Sequence, residues 1–91
     1  MRNNLPPLYY AIIMHFDGGT TDDAQGVVEA LSKDYAGYRL LNKRDISEAL
    51  ATAKENNLLE EVSYEIDNAG ELVINYRMSA FGREMAGKYL R

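Results

Sequence analysis

Residues 58–78 read LLEEVSYEIDNAGELVINYRM, and the spacing of apolar side chains in this stretch decides the fold. Val62, Tyr64 and Ile66 alternate with Ser63, Glu65 and Asp67; Leu72, Ile74, Tyr76 and Met78 alternate with Val73, Asn75 and Arg77. A period of two is the mark of a strand with one face buried. Placing both apolar sets on one face pairs Ile66 with Leu72, Tyr64 with Ile74 and Val62 with Tyr76. Asn68-Ala69-Gly70 is then a three-residue hairpin loop, with glycine where a positive φ is needed.

Outside this stretch the period is helical. Leu8, Tyr9, Ile12, Ile13 and Phe16 gather on one face and predict helix 1 from about Pro6 to Phe16, ended by Gly18-Gly19. Thr20 is the expected N-cap of helix 2, which runs to about Tyr35 with Ala24, Val27, Val28, Leu31 and Tyr35 on its inner stripe. Ala36–Leu41 is a connector anchored by Leu40 and Leu41. Asn42 caps helix 3 (43–56), whose buried stripe is Ile46, Ala49, Leu50 and Ala53; Asn56-Asn57 closes it, asparagine being tolerated in the left-handed conformation. After the hairpin, Ser79 caps a last helix over Ala80–Leu90 with Phe81, Met85 and Tyr89 as its stripe and Leu90 alongside. The expected fold class is α+β and mostly helical, a single domain over residues 1–91.

Helix, helix, connector, helix, hairpin, helix is the order of a winged helix-turn-helix: three helices, a two-stranded wing and a C-terminal helix. Residues 42–60, NKRDISEALATAKENNLLE, resemble the third helix of small prokaryotic winged-helix regulators. Residues 76–90, YRMSAFGREMAGKYL, are similar to the passage from wing to closing helix in PadR-like and MarR-like proteins, where the glycine lets the closing helix pack closely. The resemblance implies a DNA-binding transcriptional regulator that reads DNA through helix 3. It also implies a homodimer built from the terminal helices, with Leu5, Leu8, Tyr9, Phe81, Met85, Tyr89 and Leu90 as candidate residues, although the same residues could close a monomer's core.

Charge complicates that reading. With the Ile46-Ala49-Leu50-Ala53 stripe turned inward, Arg44, Glu48, Ala51, Thr52 and Glu55 point outward, flanked by Ser47 and Lys54. The candidate DNA contacts are Lys43, Arg44, Ser47, Thr52 and Lys54, but two carboxylates share their face. The chain's net charge of −4 is segregated: Glu55 to Glu71 holds six carboxylates and no basic residue, leaving the remainder at +2. A wing of that charge repels phosphate. The favoured function is still a DNA-binding regulator using helix 3; the alternative is a winged helix serving as a protein-protein interaction module or accessory subunit.

Composition narrows the rest. Ninety-one residues allow one core and no deep cofactor chamber. No Cys and a single His leave no thiolate or His-rich metal site, and His15 has no second His to complete one. No nucleophile elbow, phosphate loop or acid/base pair is present, so no catalytic residue and no cofactor is expected. Tyr10 and Tyr38 are the tyrosines expected to be exposed; Tyr9, Tyr35, Tyr64, Tyr76 and Tyr89 lie on apolar faces. The opening MRNNLPP and the apolar run behind it fit neither a signal peptide nor a membrane span, so the expected location is cytoplasmic.

Overall fold

The computed structural model describes residues 5–90; Met1–Asn4, the start of the MRNNLPP opening considered above, and Arg91 lie outside the described residues. The elements run α1 (Leu8–His15), β1 (Thr21–Asp22), α2 (Ala24–Leu31), α3 (Lys43–Glu55), β2 (Leu59–Ile66), β3 (Leu72–Met78) and α4 (Ala80–Tyr89). The strands form one antiparallel sheet in the order β1-β3-β2. The described residues thus form a small α+β fold of four helices and a three-stranded sheet. Ile12 and Ile13 of α1 with Phe16 at its C-cap, Ile46, Leu50 and Ala53 of α3, and Tyr76 and Met78 of β3 build its core.

The caps explain where the helices begin. Asn42 Oδ1 accepts from Asp45 N at 2.9 Å and Ser79 Oγ from Gly82 N at 2.8 Å, as their spacing predicts. At the end of α3, Asn57 adopts φ +65°, Asn57 N donates to Lys54 O, and Leu58 N to Ala53 O at 2.9 Å. These two bonds close the helix and aim Leu58-Leu59 into the sheet.

Helix 2 differs from expectation at both ends. Its cap is Asp23, whose carboxylate accepts from Gly26 N at 2.8 Å, and not Thr20. Asp23 caps as well as threonine does, and the later start frees Thr21 and Asp22 to pair with Arg77 and Tyr76. The sheet therefore gains a third strand beyond the expected two-stranded hairpin. Asp22 is also held by His15, whose Nε2 lies 2.8 Å from its Oδ2, a tie between the end of α1 and β1. At its other end α2 stops at Leu31, and Tyr35 follows in a turn, buried with its hydroxyl donating to Pro6 O at 2.7 Å. In the connector Leu41 is half-buried but Leu40 is exposed, so one anchor holds rather than two.

Two further corrections concern faces. Ile66↔Leu72 and Tyr64↔Ile74 pair as expected, but Tyr76 lies opposite Glu61, and Val62 is the extra residue of a bulge. The loop sets the register at the hairpin tip, burial of Leu59 against Met78 sets it at the base, and one additional residue reconciles them. Tyr64, expected on the buried face, is 61% exposed because the hairpin projects beyond the helices that would cover it. Likewise α4 buries Gly82 and Ala86, leaving Phe81 exposed and Tyr89 75% exposed. The small residues face inward because α4 approaches the start of β2 too closely for large ones, as Gly82 shows.

Candidate interaction surface of helix α3 and the hairpin

The stripe Ile46, Leu50 and Ala53 anchors α3, which leaves Arg44, Glu48, Ala51, Thr52 and Glu55 exposed, as the helical spacing predicts. Each of its three cations has a carboxylate beside it. Lys43 Nζ donates to Glu71 Oε1 at 3.5 Å, Arg44 Nε lies 3.9 Å from Asp45 Oδ1, and Lys54 Nζ is 3.8 Å from Glu61 Oε2. Ser47 Oγ donates to the Lys43 carbonyl at 2.7 Å, and Thr52 stays open to solvent. The five candidate contacts therefore share one helix, but Lys43 and Lys54 are turned toward the hairpin. On the hairpin itself Arg77 Nε donates to Glu60 Oε2 at 2.6 Å.

The bulge is what brings Glu61 into play. Simple alternation would put Val62 opposite Tyr76 and turn Glu61 outward; with Val62 as the extra residue, Glu61 sits opposite Tyr76 and reaches Lys54 and the Tyr64 hydroxyl. Its carboxylate leaves a mark on both phenols. The hydrogen bond from Tyr64 to Glu61 raises the Tyr64 hydroxyl's pKa above the ordinary phenol value, and burial followed by the charge of Glu61 raises that of Tyr76.

Asp67 organises the tip. Its carboxylate accepts from Glu71 N and Ala69 N, each at 2.9 Å, while Gly70 at φ +82° makes the turn. The Glu71 N–H, opposed by partial desolvation and reinforced by Ala69 N–H and Lys43, lowers its pKa below the usual carboxylate value. A depressed folded-state pKa adds stability above the unfolded value of about 4, and that stability is lost as pH falls through the folded one. The hairpin tip is therefore expected to hold constant order from neutral pH to about 4 and to loosen below it. A pH series of amide spectra checks this: Ala69 and Glu71 signals that stay unchanged to pH 2 contradict it.

Between α3, the start of α2 and the inner face of β3 lies a groove of about 390 Å³. Leu50, Leu72, Ile74 and Tyr76 give it apolar walls, and Asp23, Asp67 and Lys43 stand at its rim. A second groove, of about 280 Å³, separates α1 from α4. Of the candidate dimer residues, Tyr9, Met85, Tyr89 and Leu90 line it; Leu5, Leu8 and Phe81 do not. Tyr9 has its hydroxyl buried there without a hydrogen-bond partner among the described residues. Among the described residues no three His, Asp or Glu side chains gather as a metal-binding group, and no helix is long and apolar enough to cross a membrane. Compared with known proteins, the chain matches no family model and no curated protein.

The sequence pointed to α3 and to the acidity of the hairpin, but not to Leu72 and Ile74 as walls, with Asp23 and Asp67 at the rim, of one groove. The signal available was the break in alternation around Val62, visible only once both ends of the hairpin are registered.

Proposed function

We propose that this chain is a winged helix-turn-helix whose hairpin and third helix form a protein-docking surface, serving an interaction module or accessory subunit. The order of elements and the hairpin beside α3 support the fold assignment. One observation carries the functional reading: the cations that would meet phosphate on α3 lie within 4 Å of carboxylates, two of which, Glu61 and Glu71, come from the wing itself.

Exposed ion pairs of this kind are individually weak, worth about 0–1 kcal/mol, so phosphate could compete for the lysines. What it could not do is remove the carboxylates. A phosphate reaching Lys43 or Lys54 would stand beside Glu71 or Glu61 at a separation well inside the roughly 8 Å over which salt screens charge at physiological strength. A protein partner carrying basic residues meets the same surface with attraction.

A DNA-reading regulator is the second reading, favoured by Arg44 and Thr52, which remain open on the outer face of α3. Titration of a mixed-sequence duplex separates the two. Affinity weaker than about millimolar at low salt is expected here, whereas sequence-independent binding at roughly 10⁻⁴ to 10⁻⁶ M would favour the regulator. The homodimer is likewise a proposal: Tyr89, exposed at the apolar groove between α1 and α4, suits a self-complementary contact.

A further inference from the structure

Among the described residues β1 covers β3 only at Tyr76 and Arg77, so the edge of β3 from Leu72 to Asn75 has no described strand beside it on that side. The direction of its peptide groups follows from the loop. Asp67 N donates to Glu71 O at 2.9 Å, which makes these two a hydrogen-bonded pair, and Glu65 and Val73 are the next such pair. The N–H and C=O groups of Leu72 and Ile74 therefore point away from β2, toward the open edge. Unpaired peptide groups on a strand edge are a template for another chain. Here they border the 390 Å³ groove, whose inner face is formed by the side chains of the same two residues.

We infer that this edge and groove receive an extended, basic segment of a partner protein, which adds to β3 in line with β1 and seats apolar side chains against Leu72, Ile74 and Ala51. The inference rests on the protein-docking reading and names the partner's chemistry. Main-chain pairing supplies the attachment and alternate side chains supply the selectivity, as in other strand-addition complexes. Charge complementarity selects the partner: Asp23 and Asp67 stand at the rim, and Lys43, the one cation lining the groove among the described residues, is already engaged by Glu71. Lysine or arginine between or beside the apolar positions would meet those two carboxylates.

The test uses the whole chain and a library of displayed random dodecapeptides. Selected peptides are synthesised and titrated into ¹⁵N-labelled protein. The expected result is enrichment of sequences alternating apolar with Lys or Arg, amide shifts over Leu72–Asn75, Gln25 and Ala51, and at least tenfold slower exchange of the Leu72 and Ile74 amides. Ala51→Arg, which fills the groove from an exposed helical position, is expected to weaken these peptides at least tenfold while the unfolding curve stays put. Gln25→Lys at the rim should weaken them in the same direction, and peptides with Lys and Arg exchanged for Glu should not bind. Peptides whose shifts map to α1 and α4, or to the outer edge of β2, would overturn the inference and leave protein docking standing. Failure to select any peptide would also overturn it. If, in addition, mixed-sequence duplex shifts the α3 amides, the docking reading falls too.

Discussion

Gly82→Ala is expected to lower stability by about 3 kcal/mol or more, at the upper end of what one added methyl costs in a packed interior. A Cβ at this position would stand 2.1 Å from Leu58 O, 2.9 Å from Leu58 C and 3.0 Å from Met78 Cγ. The methionine could shift; the peptide group could not do so cheaply. Leu58 O also accepts from Ser79 N at 3.0 Å and Ser79 Oγ at 3.2 Å, so the carbonyl that blocks the methyl is pinned to the residue that caps α4. Relief would require α4 to lift from the start of β2, taking Ala86 out of the core with it. Since a domain of this kind has only about 5–15 kcal/mol in hand, a large share of its stability is at stake. Urea denaturation measures it, and a loss below about 1 kcal/mol would mean that α4 does not sit this close.

Phe16→Ala is expected to be as damaging by the opposite mechanism, removing contacts instead of crowding them. Phe16 is fully buried at the end of α1, with its ring edge-on to His15 at 5.2 Å between centroids. Truncating a buried phenylalanine costs about 3–5 kcal/mol through lost transfer energy and the cavity left behind. The upper half of that range is expected because α1 is only eight residues long and depends on Ile12, Ile13 and Phe16 for its hold on the core. Thermal unfolding followed by circular dichroism tests this. The His15–Asp22 tie is expected to loosen with it, read from the exchange rates of Thr21 and Asp22.

Which parts of this structure could be read from residues alone follows from the range of the forces involved. α3 was legible almost to the residue, because its cap, its stripe and its asparagine stop are all local. The hairpin loop was legible for the same reason. β1 was not: two residues carry no periodicity, and Thr20 and Asp23 are equally good caps, so the choice between them belongs to an edge of β3 more than fifty residues away. The face of α4 was misjudged because Phe81, Met85 and Tyr89 look like a core stripe; the contact that decides the matter, Gly82 against Leu58 O, joins two elements. The candidate surface divides the same way. The acidity of the wing and the cations of α3 are visible as composition along the chain. That Glu61 rather than Val62 faces α3 depends on a bulge, and that Lys43 meets Glu71 depends on the hairpin's tilt toward the helix.

The central claim is that the wing's carboxylates Glu71 and Glu61 hold Lys43 and Lys54 of α3 and turn the surface away from phosphate. Its most direct test is a duplex titration of the native chain beside a variant with Glu60, Glu61, Glu65 and Glu71 replaced by glutamine, followed across a salt series. The account predicts no binding by the native chain to about millimolar, and a gain of at least roughly tenfold in the variant that disappears as salt rises. Native affinity at roughly 10⁻⁴ to 10⁻⁶ M, unchanged by the four substitutions, would contradict it.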